Sequence, residues 1–316
     1  MGMLEPILRY FDLPAGESSG AARRLAFWDW SCKSAQPRST VICVHGLSRQ
    51  GRDFDTLASA LCASHRVVAV DVAGRGYSDW LSDPMQYQIP GYVTDLGHLL
   101  AHLRVQDPGV PLDWVGTSMG GLIGIGLASQ PASGLRRLVL NDVGPVIRWE
   151  ALQRIGAYLG LDPVFETEQA GIDYLASISS GFGPHTPQQW AALSRPMLRN
   201  KADGWHLHYD PAIAVPLRAM LAVSDPAQVA RLVAAAEQGL WSAYDAICLP
   251  TLLLRGAESD LLAQETARLM ASRGPRARCV EFAGVGHAPT LVSLDQVAVV
   301  RDFLAEPKSA GQGVPA

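Results

Sequence analysis

Within the run WVGTSMGGLIGIGLAS, residues 114–129, Gly116, Ser118, Gly120 and Gly121 fall where a strand-like apolar stretch gives way to a helix-like one. Small residues at such a junction also serve plain strand–helix packing. The spacing G-x-S-x-G, directly after an expected strand and before an expected helix, allows more. Glycines at ±2 make room for a sharp turn whose central serine takes strained backbone angles. Its hydroxyl then stands at a helix N-terminus, where free N–H groups favour developing negative charge. That is the chemistry of a nucleophile. A serine hydroxyl attacks poorly until a base takes its proton.

Eight histidines are candidates for the base. His98 and His102 lie four apart on a helical pattern, without an obvious third ligand for a metal, and read as a solvated helix face. His65 ends a helix, where a cation complements the dipole. His206 and His208 fall in the inserted lid expected over 145–245 and read equally as substrate contacts or as surface. His287, in EFAGVGHAPTLVS, follows the last strand on a glycine-rich loop, ahead of the final helix. In a parallel sheet that loop lies at the same edge as Ser118, so His287 is the expected base. An acid must fix its tautomer. Asp260, in LLLRGAESDLL just past a strand, is the first choice; Glu258 is the local rival and Asp142, after RRLVLN, the distant one. For the oxyanion, VICVHGLSRQGRDF leads from a strand into a loop whose amides can face the site. The expected donors are the main-chain N–H groups of Leu47 and Met119. His45 reads as an anchor of that loop, and Gly74 and Gly76 as turn formers.

These residues need a scaffold that brings strand ends together. Apolar, near-continuous runs at 24–30, 40–46, 66–72, 111–116, 136–142, 250–256 and 277–284 suit strands covered on both faces. Helical patterns lie between several of them, at 53–65, 92–105, 120–130 and 263–274. Such alternation predicts a mainly parallel, twisted α/β sheet with helices on both faces. From Gly144 to about Asp245 no strand is expected, and ~100 residues are too many for an unstructured loop. This stretch reads as an inserted helical lid, with helices in WEALQRIGAYLG, FETEQAGIDYLASIS and AQVARLVAAAEQGLWSAYDAI. A further one starts at Thr186, with Pro187 at its first position and Gln189 closing a capping box. The expected division is a core of 1–144 and 246–305, a lid of 145–245 and a flexible tail of 306–316.

The chain has 316 residues, 48% hydrophobic and 18% charged, with a net charge of −4. Scattered basic residues leave no footprint for nucleic acid. No apolar run approaches the ~20 residues that span a bilayer. The start MGMLEPILRYFDLP lacks the features of a secretory signal or a myristoylation site. Five cysteines without a C-x-x-C read as free thiols, which favours a reducing cytoplasm.

Four blocks, HG-x-x-x-x-G-x-DF at 45–54, D-x-x-G-x-G-x-S at 71–78, G-x-SMGG at 116–121 and NDVGP at 141–145, resemble those of lid-bearing bacterial α/β-hydrolases. The order Ser118, Asp260, His287 is also that superfamily's order. The resemblance covers essentially the whole chain and implies the α/β-hydrolase fold. It does not fix the substrate. Dehalogenases and epoxide hydrolases of this fold carry Asp where Ser118 stands. Carbon–carbon hydrolases of ring-fission diketones share SMGG but usually resemble HG-x-GPGA at the oxyanion loop, which HGLSRQGR does not match. The expected activity is therefore hydrolysis of an ester, lactone or activated amide through an acyl-enzyme. Carbon–carbon hydrolysis is the alternative, and a non-catalytic ligand-binding scaffold the second. Neither metal nor organic cofactor is expected, and the oligomeric state stays open. Arg49, Arg148, Trp149, Trp205 and Tyr209 are the expected substrate contacts, with Arg195, Arg199 and Trp190 nearby in the lid sequence. Guanidinium forks among aromatic walls suit a small substrate carrying a free carboxylate.

Overall fold

A computed structural model describes residues 5–14, 22–34 and 36–307. Most of the expected tail and the first residues of the N-terminal reading lie outside the described residues. Strands β1 (Ile7–Leu13), β2 (Arg23–Trp30), β3 (Thr40–Val44), β4 (Arg66–Asp71), β5 (Leu112–Thr117) and β6 (Leu135–Asn141) precede a long insertion. Helices α1 (Asp55–Leu61), α2 (Ile89–Gln106) and α3 (Met119–Ala128) alternate with the later of them. The insertion holds α4 (Trp149–Tyr158), α5 (Glu168–Ile178), α6 (Pro187–Ser194), β7 (Leu198–Lys201), β8 (Gly204–Leu207), α7 (Val215–Leu221) and α8 (Pro226–Asp245). The chain then continues through β9 (Thr251–Gly256), α9 (Gln264–Ser272), β10 (Arg278–Phe282) and α10 (Leu294–Ala305).

One sheet takes the order β1-β2-β4-β3-β5-β6-β9-β10. The pairs from β4 to β10 are parallel; β1–β2 and β2–β4 are antiparallel. Successive residues of the central strands feed opposite cores. Val41, Cys43, Val67, Ala69, Val115 and Val139 pack with residues of α1 and α10. Ile42, Val44, Val68, Val70, Trp114 and Leu138 pack with residues of α2, α3 and α9. Both faces are dry, which is why these strands read as unbroken apolar runs.

Four elements depart from the sequence reading. β1 is an edge strand on which only Leu13 is buried, so it carries no apolar period. The insertion is not wholly helical: β7 and β8 form a short antiparallel hairpin, closed at Ala202-Asp203 with Gly204 at φ 135°. Four-residue strands are too short to show alternation. Helix α7, only seven residues long, carries too few turns for its sequence to show a helical period.

Candidate active site

Strand β5 delivers Ser118 at its C-terminal end, and α3 starts one residue later. Ser118 has φ 50° and ψ −114°, a strained conformation for a residue with a side chain. Steric necessity explains its glycine neighbours. A Cβ on Gly116 would lie 2.2 Å from the Gly120 carbonyl oxygen, and one on Gly120 would lie 2.0 Å from that of Val44. Behind the turn, the Ser118 N–H donates to the Asn141 carbonyl at 2.9 Å, and the Trp114 indole donates to that of Gly120 at 3.0 Å.

His287 sits on the loop after β10, its Nε2 3.0 Å from Ser118 Oγ. Its Nδ1 is 2.7 Å from Oδ2 of Asp142, whose side chain is fully buried. Asp142, at φ 54°, directly follows β6, the neighbour of β5. Its Oδ1 accepts the Gly256 N–H at 3.0 Å, and Oδ2 also accepts the Ser259 hydroxyl at 2.6 Å. With the carboxylate accepting, Nδ1 is the protonated nitrogen and Nε2 is left to accept from Ser118.

The expected Asp260 does not meet His287. The loop after β9 is pinned by the Ala257 N–H on Phe282 O, Glu258 N–H on Val285 O and Ser259 N–H on Gly256 O. That course turns Ser259 inward onto Asp142. Asp260 turns away from His287, on the wall of the same cavity, and forks the guanidinium of Arg154, with Nε–Oδ2 2.7 Å and Nη2–Oδ1 3.0 Å. Asp142, ranked behind it on the sequence, is the acid in contact. Nothing in the sequence marks Ser259 except its place in the loop after β9, next to Asp260.

Leu47 and Met119 flank the serine, and among the described residues neither N–H has a protein acceptor. Gly46 lies against Ser118, since a Cβ on it would come within 3.8 Å of Ser118 Cβ. Two side chains fix the Leu47 loop from below. His45 is fully buried; its Nε2 accepts from the Val72 N–H at 3.0 Å, so Nδ1 donates to the Gly46 carbonyl at 2.7 Å. Burial chiefly holds its pKa down to about 3, so the ring is a neutral anchor. Arg75, also buried, donates from Nε to the Leu47 carbonyl at 2.8 Å, and its Nη2 lies 3.7 Å from Met119 Sδ.

The serine and histidine open into a cavity of about 550 Å³, walled by the core and by the inserted segment, including Ile155, Leu159, Leu175, Phe182 and Leu207. Of the expected substrate contacts, Arg49 and Tyr209 line it; Arg148, Trp149 and Trp205 do not. Arg148 is exposed just before α4, with Trp149 opening that helix. Trp205 belongs to the hairpin and bridges Phe165. Arg195 is bound to Glu168 on the outside, and Arg199 is exposed. The Arg49 fork is already filled, by Asp53 at 2.8 and 2.6 Å and by the Leu193 carbonyl at 2.8 Å. It ties the Leu47 loop to α6 and leaves no bidentate face for a ligand. Tyr209 donates its hydroxyl to the Leu161 carbonyl at 3.0 Å. Among the described residues no group of three His, Cys, Asp or Glu side chains is placed to hold a metal.

The sheet order and the serine turn define an α/β-hydrolase. A family model described as serine aminopeptidase, S33 matches residues 35–290, and the chain belongs to that family of hydrolases. The chain is 49% identical over 290 residues to a 3-hydroxybutyrate-oligomer hydrolase of Cupriavidus necator, covering 90% of this chain and 94% of that one. It is 29% identical over 254 residues to a 2-hydroxymuconate semialdehyde hydrolase of Pseudomonas, covering 79% and 80%. A solved α/β hydrolase of Novosphingobium aromaticivorans superposes with a TM-score of 0.78 at 34% identity, over 96% of this chain and 99% of that one.

Proposed function

We propose that the protein is a serine esterase that cleaves the ester bonds of short hydroxyacid oligomers. The carrying observation is the hydrogen-bonded line from Ser118 Oγ through His287 to the buried carboxylate of Asp142, at 3.0 and 2.7 Å. The substrate class follows the Cupriavidus relative, which matches over nearly its full length. Ser118 Oγ attacks the ester carbonyl while His287 Nε2 takes its proton, and Asp142 stabilises the imidazolium. The amides of Leu47 and Met119 receive the oxyanion. As the tetrahedral adduct collapses, His287 returns the proton to the departing alkoxide and an alcohol leaves. Water then attacks the acyl-serine with the same base, releasing the acid and restoring the hydroxyl. Segment 145–245 serves as the lid that keeps bulk water from the adduct.

The test is turnover by purified protein of 3-hydroxybutyrate dimer and trimer, p-nitrophenyl esters and ring-fission diketones, followed by chromatography. The expected result is release of hydroxyacid monomer from the oligomers, with Ser118→Ala lower in kcat by about 10⁴-fold or more. Turnover of the diketones alone would overturn the esterase reading in favour of carbon–carbon hydrolysis.

A further inference from the structure

We propose that Arg154 is the receptor for a free carboxylate on the substrate, its fork held by Asp260 until that carboxylate takes the place. The inference rests on the esterase reading and adds to it which end of an oligomer is recognised.

Two arginines line the cavity that holds Ser118 and His287. Arg49 is buried, with Nε and Nη2 engaged by Asp53 and the Leu193 carbonyl, so a substrate carboxylate could take a two-pronged fork there only by breaking an internal ion pair. Arg154 differs in every respect. It projects from α4 of the inserted segment, and its partner Asp260 comes from the core loop after β9. Their side chains are 44% and 51% exposed. A pair this wet contributes only about 0–1 kcal/mol, so exchanging one carboxylate for another is nearly free. The planar fork that accepts Asp260 through two N–H groups accepts a ligand carboxylate in the same geometry.

The walls fit such a ligand. Ile155, Tyr158 and Leu159, the following residues of the same helix and its end, line the cavity beside Arg154 and give an apolar track for an acyl chain. Charge sets the limit. Once the Arg49–Asp53 pair is set aside, the remaining acidic and basic side chains on the wall besides the imidazole of His287 are Arg154, Glu258 and Asp260. One cation facing two acids suits a monoanion that replaces Asp260 and disfavours a dianion. A hydroxyacid oligomer has one carboxylate, at one end only.

The experiment uses a matched pair of 3-hydroxybutyrate dimers, one a free acid and one capped as its terminal N-methylamide. The quantity read is the ratio of their kcat/KM values for cleavage of the internal ester. Wild type is expected to favour the acid by about tenfold, chiefly through KM, with the preference shrinking as salt is raised. Arg154→Gln should bring the ratio to about one, and Asp260→Asn should raise it about threefold by removing the competitor. Both positions are half exposed, so the variants keep the fold. A contact that merely clamps the inserted segment to the core would change both substrates alike and leave the ratio where it was. An unchanged ratio in Arg154→Gln, or a wild-type preference for the amide, overturns the inference while the esterase reading stands. Failure to cleave either dimer overturns both.

Discussion

Two aspartates compete on paper for His287, and the geometry separates them by strand position. Asp142 ends β6, immediately beside the strand that carries Ser118, and reaches the imidazole at 2.7 Å. Asp260 lies beyond a loop whose hydrogen bonds turn Ser259 in and its neighbour out. Asp142→Asn should therefore cost about 10³- to 10⁴-fold in kcat by favouring the wrong imidazole tautomer. Asp260→Asn, assayed on the same neutral ester, should cost at least about 100-fold less. Steady-state kinetics of the two variants checks this, and a reversed ranking would return the role to the β9 loop. The serine and histidine were legible because each is announced locally, one by flanking glycines and one by a glycine-rich loop after the last strand. The acid was not. Several strand ends of a parallel sheet converge on one edge, and sequence spacing does not say which carboxylate points inward. Likewise the arginines at 49 and in the inserted segment are visible as letters, but their partners are not: Asp53 already fills the Arg49 fork, and Arg148 faces solvent.

At the scale of elements, the serine turn and the Leu47 loop both depend on glycine, for opposite reasons that substitution can separate. Gly120 is jammed against backbone, with the Val44 carbonyl oxygen 2.0 Å from where a Cβ would stand. Backbone cannot swing aside as a side-chain tip can, so α3 would have to shift off the sheet. Gly120→Ala should lose about 2 kcal/mol of stability or more, read as a lowered urea midpoint. Gly46 has ordinary room, its nearest neighbours being Arg49 Cγ and Ser118 Cβ at 3.8 Å. Gly46→Ala should keep the wild-type midpoint, whereas Gly46→Val, whose methyls extend toward those two atoms, should lower kcat on the order of 10²-fold, the scale of one lost oxyanion donor. Equal loss of stability in both alanine variants would contradict the packing described. The sequence showed every central strand, since burial on both faces makes a continuous apolar run. It missed β1 and the β7–β8 hairpin, whose exposed or very short strands leave no period to detect.

At the scale of the molecule, the inserted segment is stitched to the core by main-chain bonds around Arg75, the Gly76 N–H to His208 O at 3.0 Å and the Asp210 N–H to Gly74 O at 2.8 Å. No helix among the described residues is long and apolar enough to cross a membrane. The seam makes stability depend on pH through buried groups. His208 is buried against the edge of Tyr77, and burial, with Arg199 adding repulsion, lowers its pKa to about 4. His45 is lowered further, to about 3. Both stay neutral in the fold while the unfolded chain takes up protons below about pH 6.5. Their contribution is thus complete above that pH and is lost as pH falls toward 4 and 3. Asp71 runs the other way. Burial raises its pKa to about 7, so between about pH 4 and 7 the fold holds a proton that the unfolded chain has released, and stability falls as pH rises. Among these three groups two histidines outweigh one aspartate, and their combined slope between pH 4.5 and 6 should be positive. Isolating one of them removes the opposing contribution from the comparison. His208→Gln keeps a polar side chain of similar length but does not titrate. Its unfolding free energy, from urea curves at several pH values, should rise with pH less steeply than wild type by about 1.4 kcal/mol per unit. His45 and Asp71 are common to both proteins and cancel in the difference. Parallel lines for the two proteins would mean that His208 is protonated inside the fold as readily as outside it, and that the seam is open to water.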